Sequence, residues 1–215
     1  MQGAIIAGAG YTLPYLESAS SGGAQTFVIL PGQMGALAWP TGGAQRCVLS
    51  ESGSWPLPGA SLDLIVMAHE LEYAADPASV LDEAWRVLKP EGRLLLVVPN
   101  RTGLWARAEK TPFGHGRPFT SGQLYEILRE REFTLDRMTG ALLAPPLRFV
   151  WYNRRVAPIL EYLAPFMSRL CGVVLVDARK RLFAPIPGKA KPVTAKAAAW
   201  VADKVPVPGS IPQGN

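Results

Sequence analysis

Short apolar runs alternate along the chain with segments whose apolar positions recur at helical spacing. Ala4–Ala7 reads as a first strand, Thr26–Leu30 as a second and Gln45–Leu49 as a third; Leu62–Ala68 and Arg93–Val98 are the clearest. The two clearest runs do not alternate strictly between apolar and polar, which suits strands covered on both faces. Between them, Asp76-Pro77 supplies a helix N-cap and a proline for the first helical position. Leu81, Ala84, Trp85 and Leu88 follow at helical spacing, and Lys89-Pro90-Glu91-Gly92 reads as the stop before the next strand. Thr120-Ser121-Gly122-Gln123 has the form of a capping box and opens a helix with Leu124, Ile127 and Leu128 on one face. Ile159, Leu160, Leu163, Phe166, Met167 and Leu170 form another helical pattern, and Gly172–Ala178 reads as a last strand.

Strand and helix in alternation predict an α/β fold: a doubly wound, mainly parallel sheet with helices on both faces. In such sheets ligands bind beyond the carboxyl ends of the strands. The turns after Ala7, Leu30, Leu49, Ala68 and Val98 are therefore where chemistry is expected. Gly8-Ala9-Gly10 follows the first strand, with a helix beginning near Thr12. Two glycines there let the backbone bend sharply and approach a ligand, although glycines in such turns also serve packing alone. The third glycine of a G-x-G-x-x-G fingerprint is replaced by Leu13, and no acid follows the second strand, so a dinucleotide-binding oxidoreductase fits poorly.

Composition adds bounds. With 215 residues, 48% hydrophobic and 18% charged, the chain can bury one sizeable core. No apolar run approaches the ~18 residues that span a bilayer, and the start lacks the pattern of a signal peptide. Cys47 and Cys171 stand far apart, which predicts neither a disulfide framework nor a metal site and points to a reducing, cytoplasmic setting. The net charge of +5 is concentrated at the end: from Arg179 onward there are seven basic residues and one acid. A near-neutral body argues against a nucleic-acid groove. From Pro185 the chain turns to Pro, Ala, Lys and Gly, so residues 1–184 are expected to form the domain and residues 185–215 a basic, mostly disordered tail. Phe149-Val150-Trp151-Tyr152, flanked by Arg148, Arg154 and Arg155, is a lid, a dimer contact or a peripheral membrane contact.

The stretch from Trp55 to Asn100 resembles the class I S-adenosylmethionine-dependent methyltransferases, most of all the branch containing the ubiquinone and menaquinone C-methylases. Trp55-Pro56-Leu57-Pro58-Gly59-Ala60-Ser61-Leu62-Asp63 is similar to the segment that precedes their fourth strand. Leu71-Glu72-Tyr73, Asp76-Pro77 and Arg86-Val87-Leu88-Lys89-Pro90-Glu91-Gly92 then follow in the family's order and spacing. The resemblance is thinner from Ala4 to about Leu182. It implies a seven-stranded Rossmann-like sheet whose last strand is antiparallel, with S-adenosylmethionine as cofactor. It further implies that Gly8 and Gly10 lie under the methionine portion, that Glu51 meets the adenine amino group, and that the loop Ala68-His69-Glu70-Leu71 borders both cofactor and acceptor. Two departures stand out. The family carries an acid at the end of the second strand for the ribose hydroxyls, whereas Phe27–Gln33 has no carboxylate and at most a neutral partner in Gln33. The family also has a helical segment before the first strand, and this chain opens almost at that strand.

In that family the loops after the fourth and fifth strands build the acceptor site. Phe113, His115 and Arg117 lie after the fifth strand, between glycines and prolines. His69 and His115 are candidate proton acceptors, and Arg117 could hold a carboxylate or phosphate. The expected partner is a small-molecule or lipid-like methyl acceptor. The alternative is a degenerate member of the fold that binds little cofactor and serves as an interaction module.

Overall fold

The computed structural model describes residues 3–35, 37–40, 42–103, 105, 116–143 and 170–182, with positions 159, 162 and 167. Phe113, His115, the Arg148–Arg155 cluster, most of the helical pattern from Ile159 and the tail lie outside the described residues. Seven strands form one sheet: β1 (Ile5–Gly10), β2 (Gln25–Pro31), β3 (Cys47–Ser50), β4 (Leu62–Ala68), β5 (Leu88–Pro99), β6 (Phe133–Ala141) and β7 (Val173–Lys180). Their order is β3-β2-β1-β4-β5-β7-β6. β1 to β5 pair in parallel, and β7 inserts antiparallel between β5 and β6. This is the doubly wound sheet that the alternation predicts.

Strand parity assigns the two faces. Ala7, Ala9, Ile65, Met67, Leu94 and Leu96 join one core with Val80, Leu81 and Ala84 of α2 (Pro77–Val87) and with Leu124 and Leu128 of α3 (Ser121–Glu130). Ile6, Val28 and Leu30 point the other way and pack on Leu16 of α1 (Leu13–Ser21). Both predicted caps are present. Asp76 accepts from the Ala78 N–H at 3.0 Å, and Thr120 and Gln123 form a reciprocal capping box. At the other end of α2, Lys180 Nζ donates to the carbonyls of Trp85 (2.6 Å) and Leu88 (2.8 Å), so a cation meets the negative end of the helix. Burial pushes the Lys180 ammonium below its usual pKa. Among the described residues, no helix is long and apolar enough to cross a membrane.

Three expectations are corrected. The first strand continues through Gly8 to Gly10 instead of ending at Ala7, because Gly8 pairs with Val28 on one side and Val66 on the other. Lys89–Gly92 is not only a helix stop. Leu88 leaves the helix and pairs with Leu62, then the four residues bulge opposite Asp63, Glu91 takes a left-handed φ of 62°, and pairing resumes at Leu64 and Arg93. β6 is absent from the sequence reading. Six consecutive residues from Thr134 are only half-buried, so FTLDRMTGA shows no apolar run, and its place is secured by pairing with β7.

Two details tie the amino ends of the strands to packing. Asp63 accepts from the Ile5 N–H at 2.9 Å and from Lys89 Nζ at 2.8 Å, and these contacts hold its carboxyl below the usual carboxylate pKa. Gly8 is demanded by α1, since a Cβ there would sit 2.2 Å from Thr12 Oγ1 and 2.5 Å from a Leu16 methyl. Gly8→Ala is expected to lower stability by about 1–3 kcal/mol through overpacking, read as a shift in the denaturant midpoint. Because the folded pKa of Asp63 is depressed, its contribution is complete above the ordinary carboxylate range near ~4 and is lost as pH falls through the lower folded value. The difference in midpoint between the native chain and Asp63→Asn should therefore be full at neutral pH and narrow progressively below about pH 4; a constant difference would assign the stabilisation elsewhere.

Candidate functional site

Between β1 and β4 the chain order reverses: β2 lies beside β1 on one side and β4 on the other. That is the switch point at which open α/β sheets leave a crevice. The two strand tips are held together. The Tyr11 N–H donates to the Ala68 carbonyl at 2.7 Å, and Gly10 takes a φ of 74°. A Cβ at Gly10 would lie 2.4 Å from the Ala68 carbonyl oxygen and 3.2 Å from Glu70 Cβ. Gly8 and Gly10 are thus required by the protein's own packing, and a bulky substitution at Gly10 tests the fold before it tests a site.

On the β3 side of the switch point, a cleft of about 420 Å³ is lined by Pro31, Gly32, Glu51, Ser52, Tyr73, Ala74, Ala75, Asp76 and Ser79. It collects the ends of β2 and β3, the loop after β4 and the start of α2. Glu51 is exposed there, at the head of a tight turn in which the Ser54 N–H returns to the Glu51 carbonyl at 3.1 Å. Nothing stands within 4 Å of a Cβ built on Gly32, so the backbone after β2 faces open space. The expectation that the end of β2 carries no carboxylate holds: Pro31 and Gly32 line the cleft themselves. The side chain of Gln33 lies outside the described residues.

Behind this cleft the loop after β4 concentrates buried charge. Ala68 is fully buried, and His69 follows with a left-handed φ of 55° and an N–H donated to the Val97 carbonyl at 3.1 Å. His69 Nδ1 meets Glu72 Oε1 at 2.6 Å; the His69 side chain is 23% exposed and the Glu72 side chain 1%. Glu70, only 3% exposed, accepts from Ser52 Oγ at 2.8 Å through Oε1. Glu70 Oε2 and Glu72 Oε2 are buried with no hydrogen-bond partner. Burial pushes the Glu70 carboxyl above its usual pKa; the Glu72 carboxylate adds to the effect and the Ser52 hydroxyl opposes it. The Tyr73 phenol is raised by burial and by Glu72.

The β5 side contributes Arg117. Its N–H donates to the Glu72 carbonyl at 2.8 Å, and the neighbouring Gly116 (φ 80°) packs against Glu72, leaving the Arg117 side chain exposed. Gly10, Ala68, His69 and Arg117 are therefore gathered around the loop after β4, and Glu51 lines the cleft together with Tyr73 and Ala74 of that loop. Sequence reasoning missed Glu72, Ser52 and Tyr73 as site residues, and reached Glu70 only as part of the loop after β4, with no role of its own. The available signal was the pair of acids two residues apart directly after an apolar strand, a costly placement unless the carboxylates have work to do.

The chemistry of the cleft is distinctive. Its described lining offers acceptors and hydroxyls (Glu51, Ser52, Tyr73, Asp76, Ser79) and no lysine or arginine. Such a lining suits a neutral or cationic ligand rich in donors, such as the amine and hydroxyls of an adenosine group bearing a sulfonium. It suits a pyrophosphate poorly. No group of three or more metal-ligating side chains occurs among the described residues.

Comparison with known proteins agrees. Residues 6–96 match the family model described as "Methyltransferase domain". A Mycolicibacterium smegmatis protein named as a probable S-adenosylmethionine-dependent methyltransferase is 33% identical over 87 residues, 40% of this chain and 34% of that protein. The chain thus spans about a third of the length of that relative. Among solved structures, a Thermotoga maritima S-adenosylmethionine-dependent methyltransferase aligns with a TM-score of 0.60 at 17% identity, over 84% of each chain. The cyclase SpnF aligns with a TM-score of 0.59 at 21% identity, over 85% of this chain and 76% of its own. The strand order, the antiparallel β7, the switch-point cleft and the match of residues 6–96 to the methyltransferase-domain model agree: the chain has the fold of the class I S-adenosylmethionine-dependent methyltransferases.

Proposed function

We propose that the chain is an S-adenosylmethionine-dependent methyltransferase acting on a small-molecule or lipid-like acceptor. The observation that carries this reading is the cleft beside the switch point, whose described lining offers hydrogen-bond acceptors and no lysine or arginine. Glu51 would accept from the adenine amino group, and the open backbone at Gly32 leaves room for the nucleoside. Gly10 and Ala68 bring the tips of β1 and β4 close enough to form the floor under the methionine portion. When bound, the cofactor supplies a methyl group on a sulfonium centre that departs as a neutral thioether. The protein's share is then alignment, exclusion of water and custody of one acceptor proton.

His69 fits that last role. Its imidazole is partly exposed at the end of β4, and the buried Glu72 carboxylate holds the ring through Nδ1. Arg117 stands next to this pair and would hold an anionic group of the acceptor, with Phe113 and His115 supplied by the segment just before it. The reading places the protein in the cytoplasm.

A second reading is favoured by one observation: β2 ends in Pro31 and Gly32, with no carboxylate for a ribose. On that reading the fold is retained as an interaction module. Calorimetric titration of the 215-residue chain with S-adenosylmethionine and S-adenosylhomocysteine separates the two. Micromolar binding is expected, weakened about 10–150-fold by Glu51→Ala, the worth of one hydrogen bond to a charged acceptor. Silence from a folded chain would favour the interaction module. In an acceptor screen, His69→Ala should lower turnover on whichever acceptor the native enzyme takes by about 10²–10⁴. Unchanged turnover would remove His69 from the chemistry.

A further inference from the structure

The hydrogen bond between Glu70 and Ser52 crosses the switch point. Glu70 belongs to the loop after β4, Ser52 to the loop after β3, and β1 and β2 lie between those two strands. Neighbouring strands are ~4.8 Å apart, so this contact joins loops whose strands stand about 14 Å apart, over the ends of the two strands between. The Glu70 backbone anchors the reach. Its carbonyl accepts from the Tyr73 and Ala74 N–H groups at 3.2 and 3.1 Å, closing the turn that forms one wall of the cleft. Its Cβ stands against Gly10. The carboxyl is thus held between the tip of β1 and the Ser52–Ala74 side of the cleft. One oxygen is engaged by Ser52 and the other is buried without a partner.

We propose that Glu70 supplies the carboxylate for the ribose hydroxyls, from the loop after β4, in place of one at the end of β2. This rests on the methyltransferase reading above. Three observations support it. β2 ends in Pro31 and Gly32, neither of which has a side chain able to accept a hydrogen bond. The residue sharing Glu70's engaged oxygen, Ser52, itself lines the cleft beside them. The free oxygen of Glu70 is a buried acceptor lacking a donor, and a vicinal diol offers donors of the right kind to a carboxylate. Burial favours the neutral carboxyl when no ligand is present, and donors from a bound diol would stabilise the charged form. A purely structural staple between the two loops would need only Oε1 and would be indifferent to the sugar.

The test is discrimination between sugars. The full chain, Glu70→Gln and Ser52→Ala are each titrated calorimetrically with S-adenosylhomocysteine and with its 2′-deoxy counterpart. The native chain should prefer the ribose ligand by about 10-fold or more, as expected when a hydrogen bond to a charged group is lost. Glu70→Gln should bring the ratio close to one by weakening the ribose ligand, with the deoxy ligand little changed. Ser52→Ala changes an exposed loop residue and removes the partner that positions Glu70; it should lower the same ratio, and it keeps the test open if Glu70→Gln does not fold. Equal discrimination by the native chain and a folded variant, or a native chain indifferent to the 2′-hydroxyl, would overturn the assignment while leaving the methyltransferase reading intact. A native chain that binds neither ligand would overturn the methyltransferase reading, and this assignment with it.

Discussion

The contact between the tips of β1 and β4 governs the rest of the molecule. Tyr11 donates to the Ala68 carbonyl, and Gly10 has no side chain to keep the two strands apart. That approach lets β1 turn directly into α1, which packs over Gly8 on one face. It also fixes where the chain leaves β4, and therefore where His69, Glu70 and Glu72 can stand. A single methyl group at Gly10 would meet a backbone oxygen and not a pliable side chain, so strain there could not be relieved locally. The glycines that draw the eye in the sequence serve this geometry first, and any ligand benefits from the crevice they create.

Much of this was legible in the residues, and the limits are physical. β4 is found at its observed bounds because a buried central strand must be apolar at nearly every position, and LDLIVMA is. The starts of α2 and α3 are found because Asp76-Pro77 and Thr120…Gln123 are local chemistry that tertiary structure does not overrule. β6 is missed because an edge strand, half-buried along most of its length, needs no apolar pattern. The bulge at Lys89–Gly92 is missed because its cause, Asp63 reaching across to Lys89, lies 26 residues away. In the site, His69, Glu51 and Arg117 are reached by resemblance. Glu70 is reached only as a member of the loop after β4; its own part appears only when the sheet order sets Ser52 opposite it.

The buried carboxylates carry the main electrostatic tension of the domain. Two acids stand two residues apart, each almost fully shielded from solvent, and the Glu72 carboxylate adds to the cost of ionising Glu70. The Glu72 carboxylate is met by His69, and the Glu72 backbone carbonyl accepts from the Arg117 N–H. Glu70 has only a neutral hydroxyl. An apolar residue at position 70 would relieve this tension while keeping the loop's backbone bonds, so stability alone gives no reason for a carboxylate there. A destabilising group beside a cleft is the pattern expected when part of its hydrogen bonding is completed by something that comes and goes.

Fold and activity remain separate questions in this class, and the solved relatives show it. One aligned neighbour is named as a methyltransferase and another as a cyclase, at nearly the same structural similarity to this chain. The shared sheet therefore argues for a crevice and not for a reaction. What narrows the choice is local charge. Pyrophosphate-bearing cofactors need backbone donors or cations at the crevice, and the described lining here presents Glu51 and Asp76 instead. A lining of that charge disfavours phosphate and favours a cationic ligand, which is the physical ground on which a sulfonium cofactor is proposed.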